Sequence, residues 1–316
     1  MIIYIFKRLG MTMVVCLLAM VFLSSMVHFI PGDPVRTLLG PRATPERSAY
    51  VRASMGLDDP IPIQIYHFVR DALHGDLGSD FVSGRPVTEI VLEALPHTIW
   101  LAITSLGLAA LLGIPLGVYS AAHPNSLADR IASMLAISFI TLPSYVAALL
   151  LLLLFAVQLD WFPAIGVGDI HDPVDYIRHL ILPSIALAVT WIGYLARLVR
   201  ASMLEILNEP YVRTAHSFGL RDRTVFFKYA LRNAIIPTVA VLGVGLGNEL
   251  GGAVFTEVIF TRPGLGRLIY EAISDRNFPI VRGGILVAAL LFVFANLIAD
   301  LSYHFLDPRI RLEETK

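Results

Sequence analysis

The chain is poor in charge and almost free of cysteine. Asp, Glu, Lys and Arg make up 16% of its 316 residues, where soluble domains carry about 25%. That leaves too little polar surface to cover the two soluble domains this length would allow. The single cysteine, Cys16, excludes an intrachain disulfide framework, and its apolar surroundings read as those of a buried, inert thiol. A net charge of −1 gives no global argument for nucleic acid as a partner. The sequence has no G-x-x-x-x-G-K-S/T phosphate cradle, no H-E-x-x-H, no G-x-S-x-G and no Cys/His cluster. No catalytic residue, cofactor or metal is therefore expected.

What is present is apolar: 56% of residues, with a mean hydropathy of +0.71. A bilayer core takes about 20 apolar residues in helical form. Six stretches qualify, at about 9–30, 97–121, 131–159, 180–200, 234–256 and 283–303; the fourth is uncharged as far as Ala196. The reading is an all-α polytopic membrane protein of six transmembrane helices. Pro115, Pro143 and Pro183 lie in or at the start of spans, where packed neighbours can satisfy the freed backbone groups. The first stretch follows Lys7 and Arg8 as a signal peptide would. Its core is longer than an h-region and no A-x-A site follows, so a retained anchor is expected. With both ends on one side, the segments there hold thirteen bases and seven acids, and the opposite segments eleven and sixteen. The positive-inside rule puts both termini in the cytoplasm.

Two connections exceed a simple turn. The extracytoplasmic one, about 31–95, has turns at Pro31-Gly32-Asp33-Pro34 and Asp59-Pro60-Ile61-Pro62, and helix-like stretches at Gln64–Leu73 and Val87–Leu95. It reads either as a packing cap or as a docking surface. The cytoplasmic one, about 201–232, reads as a helix–turn–helix knob, with Gly219 ending one helix and Asp222 capping the next. Its mixed apolar and basic groups suit equally a partner's socket or anionic lipid headgroups.

Charge inside the membrane is expensive. Glu249, beside Asn248, either lines a polar pathway or pairs with a basic group on a neighbouring helix. Asp300 reads as structural, and His28 and His97 as interfacial anchors. Gly243-Val244-Gly245-Leu246-Gly247 lacks the preceding strand of a dinucleotide loop. Gly243, Gly247 and Gly251, like Gly113 and Gly117, have the small-xxx-small spacing of close helix packing.

At the knob, Tyr211-Val212-Arg213-Thr214-Ala215-His216-Ser217-Phe218-Gly219-Leu220 and Asn233-Ala234-Ile235-Ile236-Pro237 resemble the cytoplasmic E-A-A-x-x-x-G loop of binding-protein-dependent ABC importer permeases. Arg213-Thr214-Ala215 stands where E-A-A would be; Gly219 and Pro237 keep their places. Phe6-Lys7-Arg8-Leu9, Pro31–Pro34, Leu57–Gln64, Gly75–Ser79, Thr261–Leu268 and Leu306–Arg311 extend the resemblance along nearly the whole chain. It is similar to the first permease subunit of the dipeptide/oligopeptide/nickel group. The resemblance implies a non-catalytic subunit in a bacterial inner membrane, forming half of a pathway for short peptides or similar solutes. It implies four kinds of partner: a second homologous permease, cytoplasmic ABC ATPase subunits, an extracytoplasmic solute-binding protein and membrane lipid. It places the ATPase-coupling loop at Tyr211, Val212, Arg213, Thr214, Ala215, Gly219 and Leu220. Asn248 and Glu249 are candidate pathway residues from burial cost alone. A proton-coupled secondary carrier using Glu249 and Asp300 is the alternative, although no internal repeat supports it; an intramembrane enzyme is disfavoured by the missing nucleophile and metal patterns.

Overall fold

The structure is a computed structural model. It describes residues 10–22 except 12 and 16, then 44–54, 59–80, 82–169 and 171–306. Cys16, His28 and both chain ends lie outside the described residues. The described part of the first expected span is helical.

From residue 44 onward, the described helices are α1 (Pro45–Ser54), α2 (Ile61–Leu73), α3 (Val87–Ala122), α4 (Leu127–Thr141), α5 (Ser144–Leu151), α6 (Pro173–Leu207), α7 (Pro210–Ser217), α8 (Asp222–Thr224), α9 (Leu231–Ala234), α10 (Ile236–Gly252), α11 (Val254–Ile259), α12 (Leu265–Ser274) and α13 (Phe278–Leu306). π-Helical turns continue α5 over Leu152–Gln158 and join α8 to α9 over Val225–Ala230. No strand occurs among the described residues; Ser79 and Pro86 form one isolated antiparallel bridge.

Among the described residues, three helices are long and apolar enough to cross a membrane: Val87–Ala122, Pro173–Leu207 and Phe278–Ala299. Two bent pairs reach that length together, Leu127–Thr141 with Ser144–Gln158 at 101° and Asp222–Ala234 with Ile236–Gly251 at 42°. The expected third span, 131–159, is thus a broken helix. Pro143 has no N–H to continue the ladder and holds φ at −61°, while Leu142 before it is extended. The carbonyl of Leu142 accepts a hydrogen bond from the Thr190 hydroxyl at 3.3 Å, which satisfies a group the break sets free. The helix expected at Val87–Leu95 and the second span are one helix, which runs through Pro96 without a break.

The chain divides into two compact units. One comprises residues 1–99 and 263–293. Its core gathers Phe68 of α2, Leu77, Val87 and Val91 of α3, Leu265 and Ala272 of α12, and Ile280 and Leu286 of α13. Thr98 Oγ1 accepts from the Leu265 amide at 2.8 Å, within this core.

The other comprises residues 100–262 and 294–316. Here α6 is the central element. Gly113 and Gly117 of α3 lie against its backbone: an added Cβ would meet the Ile192 carbonyl oxygen at 2.9 Å and that of Ala196 at 2.5 Å. Gly193 of α6 faces the Ala136 carbonyl of α4 in the same manner. Close approach replaces side-chain interdigitation, as small residues allow in lipid. Gly243 of α10 meets Ala299 of α13, whereas Gly251 has nothing within 4 Å of an added Cβ. The close-packing reading therefore does not extend to Gly251 within this chain. Leu111, Met134, Leu150 and Phe255 remain exposed on this unit, an apolar surface suited to hydrocarbon.

Candidate coupling loop and membrane-embedded polar site

Helix α6 stops at Leu207, where Asn208 bonds back to the Leu204 carbonyl at 2.8 Å. Glu209 is extended, as the residue before a proline must be, and Pro210 opens α7 at its first turn. Val212 and Ala215 turn inward and pack with Val225, Ile206 and Leu207. Ser217 is the last residue of α7 and Phe218 its cap. The Gly219 amide then donates to the His216 carbonyl at 2.9 Å and the Leu220 amide to the Ala215 carbonyl at 3.4 Å. These are the two bonds of a Schellman motif, with Gly219 in the required left-handed conformation at φ +75°. An added Cβ at Gly219 would meet nothing within 4 Å. Backbone conformation, not space, is what selects glycine there.

Asp222 does not cap the next helix. Arg221 occupies the N-cap position with no side-chain bond, and Asp222 is the first helical residue. Its carboxylate instead lies 3.4 Å from His216 Nδ1, across the turn. The far end of α7 is fastened by Tyr211, whose hydroxyl accepts from Asn233 Nδ2 at 2.8 Å and donates to the Tyr229 carbonyl at 3.4 Å. Of the seven expected coupling residues, Val212 and Ala215 are buried in the chain's own small core. Tyr211, Arg213, Thr214, Gly219 and Leu220 are exposed. Phe218, at 83% exposure, is the apolar group this face presents most fully, and the sequence reading passed over it.

Asp129 and Arg200 make a second feature the sequence reading counted only as charges. Arg200 donates in a fork, Nε to Oδ1 at 2.7 Å and Nη2 to Oδ2 at 2.8 Å. Asp129 also accepts the Asn125 amide at 2.9 Å, so the pair ties the start of α4 to α6. Arg262 is fully buried; it donates to the His179 carbonyl at 3.2 Å and lies 5.7 Å over the Tyr176 ring.

Asn248 and Glu249 are neighbours in sequence but not in environment. Glu249 is buried in the bundle, and Trp191 of α6 donates its indole N–H to Oε1 at 2.6 Å. Its partner is thus an indole rather than the basic group one reading expected. Asn248 is exposed and lines a cavity of about 360 Å³ with Thr190, Trp191, Tyr194 and Val244. Trp191 stands between them, one face on the cavity and its N–H on the carboxyl. Gly245 makes this possible, since an added Cβ there would lie 2.9 Å from the ring. The side chain of Asp300 lies outside the described residues.

The family described as binding-protein-dependent transport system inner membrane component matches residues 113–312, and its N-terminal component matches residues 1–102. The chain belongs to this family. A glutathione transport system permease protein, GsiC, of Pectobacterium atrosepticum is 39% identical over 309 residues, 98% of each chain. A dipeptide transport system permease protein, DppB, of Alkalihalophilus pseudofirmus is 36% identical over 329 residues, covering 98% of this chain and 99% of that one. The fold matches an inward-facing MetNI methionine ABC transporter structure with a TM-score of 0.58 at 17% identity, covering 69% of this chain and 96% of that one. A crystal structure of an amino acid ABC transporter follows at 0.55 and 16%, covering 69% and 94%. The chain is thus a permease subunit of an ABC importer, of the peptide-permease family, and a multi-pass protein of the inner membrane. A permease subunit of this kind is consistent with a non-catalytic membrane component.

Proposed function

We propose that this permease forms half of a pathway for short peptides or glutathione-like solutes. On this reading a second permease subunit forms the other half. A solute-binding protein delivers the solute to the face bearing α2 and α12. Separate cytoplasmic ATPase subunits, which carry out the hydrolysis, seat on the knob formed by α7 and its Schellman turn. Both termini then lie in the cytoplasm. The relatives named for glutathione and dipeptide transport support the solute class.

The observation that carries the coupling role is the build of the knob. A short helix with two inward side chains and a fixed turn is fastened by Tyr211 and Asn233, so a push on its exposed side cannot be absorbed locally. The knob continues without a long linker into α6 on one side and through α9 into α10 on the other. Those two helices carry Trp191 and Glu249. Displacing the knob loads the hydrogen bond between them, beside the cavity that Asn248 lines. This gives ATP-driven motion a physical route to the membrane-embedded polar site.

The test is purification of the tagged chain from its native membrane in mild detergent, with mass spectrometry of what accompanies it. Recovery of a P-loop ATPase and a second permease, reduced by Gly219→Glu, is the expected result. Recovery of the chain alone, from membranes in which it is active in transport, would overturn the reading and favour a secondary carrier.

A further inference from the structure

The C-terminal end of α3 and the segment from Asp222 to Leu231 enclose a groove of about 820 Å³. Its apolar lining includes Ile114 and Val118 of α3, Phe226 of the π-helical turn and Leu231, and all four pack against buried Ala121, Val199 and Ala230. The exposed rings of Tyr119 and Phe227 also line it. The remaining polar side chains on its walls are those of His123, Asp222 and Arg223.

Chain direction separates the two kinds of wall. Helix α3 ends at Ala122, so His123 lies just past a helix fit to cross the membrane. Asp222 and Arg223 open the bent pair that continues into α10. The polar residues therefore stand at the ends of two membrane-crossing elements. Ile114, nine residues back from His123, and Leu231, eight on from Arg223, lie about 12 Å further in at helical rise. A soluble protein cannot follow such a groove into hydrocarbon. Its occupant needs a polar head at the membrane boundary and an apolar body of this length. The charge of the head follows from the segment 221–232. Arg221, Arg223, Lys228 and Arg232 are exposed there, and none of them has an ion pair among the described residues. The one acid, Asp222, has its carboxylate 3.4 Å from His216 Nδ1. We infer that this groove binds an anionic phospholipid of the adjacent leaflet, with its phosphate at Arg223 and an acyl chain along Val118, Phe226 and Leu231. The inference needs only that α3 crosses the membrane; it goes beyond the transport reading and does not depend on the solute.

The test uses the full chain purified in detergent, with phosphatidylglycerol or phosphatidylcholine added and the retained lipid counted by native mass spectrometry. The wild-type chain is expected to retain phosphatidylglycerol in preference. Arg223→Ala should lower that preference by about fivefold, the worth of one base near an anionic surface. Val118→Trp, which fills the groove, should lower retention of both lipids. Phe227→Ser, at a wall position 57% exposed, should do the same without disturbing the core. In the assembled transporter, phosphatidylglycerol with a photoreactive acyl chain should label residues 114–123 and 222–231. Equal retention of the two lipids by the wild-type chain would overturn the proposal. So would retention unchanged by Phe227→Ser. Label confined to exposed Leu111 and Leu112, with none in the groove, would assign the groove to a partner subunit and overturn it as well.

Discussion

The indole of Trp191 donates a 2.6 Å hydrogen bond to Glu249, and Gly245, one turn before that carboxyl, leaves the space in which the ring lies. A buried acid in a membrane helix is thereby held by a neutral donor. Trp191→Phe keeps the ring but removes the N–H. It is expected to destabilise the protein by about 1–3 kcal/mol, because it strands a buried polar group. Glu249→Gln retains an acceptor oxygen and should cost less than Glu249→Ala. Thermal midpoints of the purified subunit in detergent check the order. A Glu249→Ala variant as stable as Glu249→Gln would show the bond to be inconsequential.

The Schellman turn gives a second expectation. Gly219→Ala meets no atom but must hold φ at +75°, at a cost of about 1–2 kcal/mol. Gly219→Asn tolerates that conformation better and should retain more activity. Solute-stimulated ATP hydrolysis of the assembled transporter should therefore rank Gly above Asn above Ala. A loss that instead followed side-chain volume would point to direct steric blockage of the partner.

The glycine pairs separate by position. Gly117→Ala places a Cβ 2.5 Å from the Ala196 carbonyl and should destabilise by about 1–3 kcal/mol through overpacking. Gly251→Ala has open space and should be neutral, or stabilising by up to about 1 kcal/mol, in the chain alone. Parallel unfolding of the two variants reads this directly.

The pH response of the loop following α2 follows from Asp80. Burial raises its pKa, but hydrogen bonds from the Ser83 hydroxyl, the Val82 amide, the Asn277 side chain and the Ser83 amide outweigh that, so it lies below the ordinary 3.8. A depressed folded-state pKa contributes stability that is present above 3.8 and is lost as pH falls from there through the folded value. Amide exchange at Val82 and Ser83, corrected for its intrinsic pH dependence, should keep its protection down to that range and lose it below. Protection already lost at neutral pH would contradict the arrangement.

Several elements were legible because their causes are local. Hydropathy marked the apolar helices, Gly219 marked the end of α7, and the turn at Asp59-Pro60-Ile61-Pro62 marked the entry to α2. The assignment of Asp222 as a cap failed by one residue, because the turn after Gly219 lets Arg221 take the extended position. Pro143 was legible as a weak point of the third span, but the 101° bend there was not, because a proline alone does not decide it: Pro183 sits inside the unbroken α6, whereas Leu142 before Pro143 is extended.

The sequence by itself determined the class of protein, its solvent and the family whose motifs it carries, since these depend on composition and on spacing within a few turns. Tertiary structure alone decided the polar pairings. Trp191 and Glu249 are 58 residues apart, Asp129 and Arg200 are 71, and Asp80 and Asn277 are 197. Such pairs form only when packed helices exclude water, so that each buried polar group must find a partner across the fold rather than along the chain. The same packing decided which glycines matter, because a missing Cβ has meaning only where another backbone or ring comes to occupy its place.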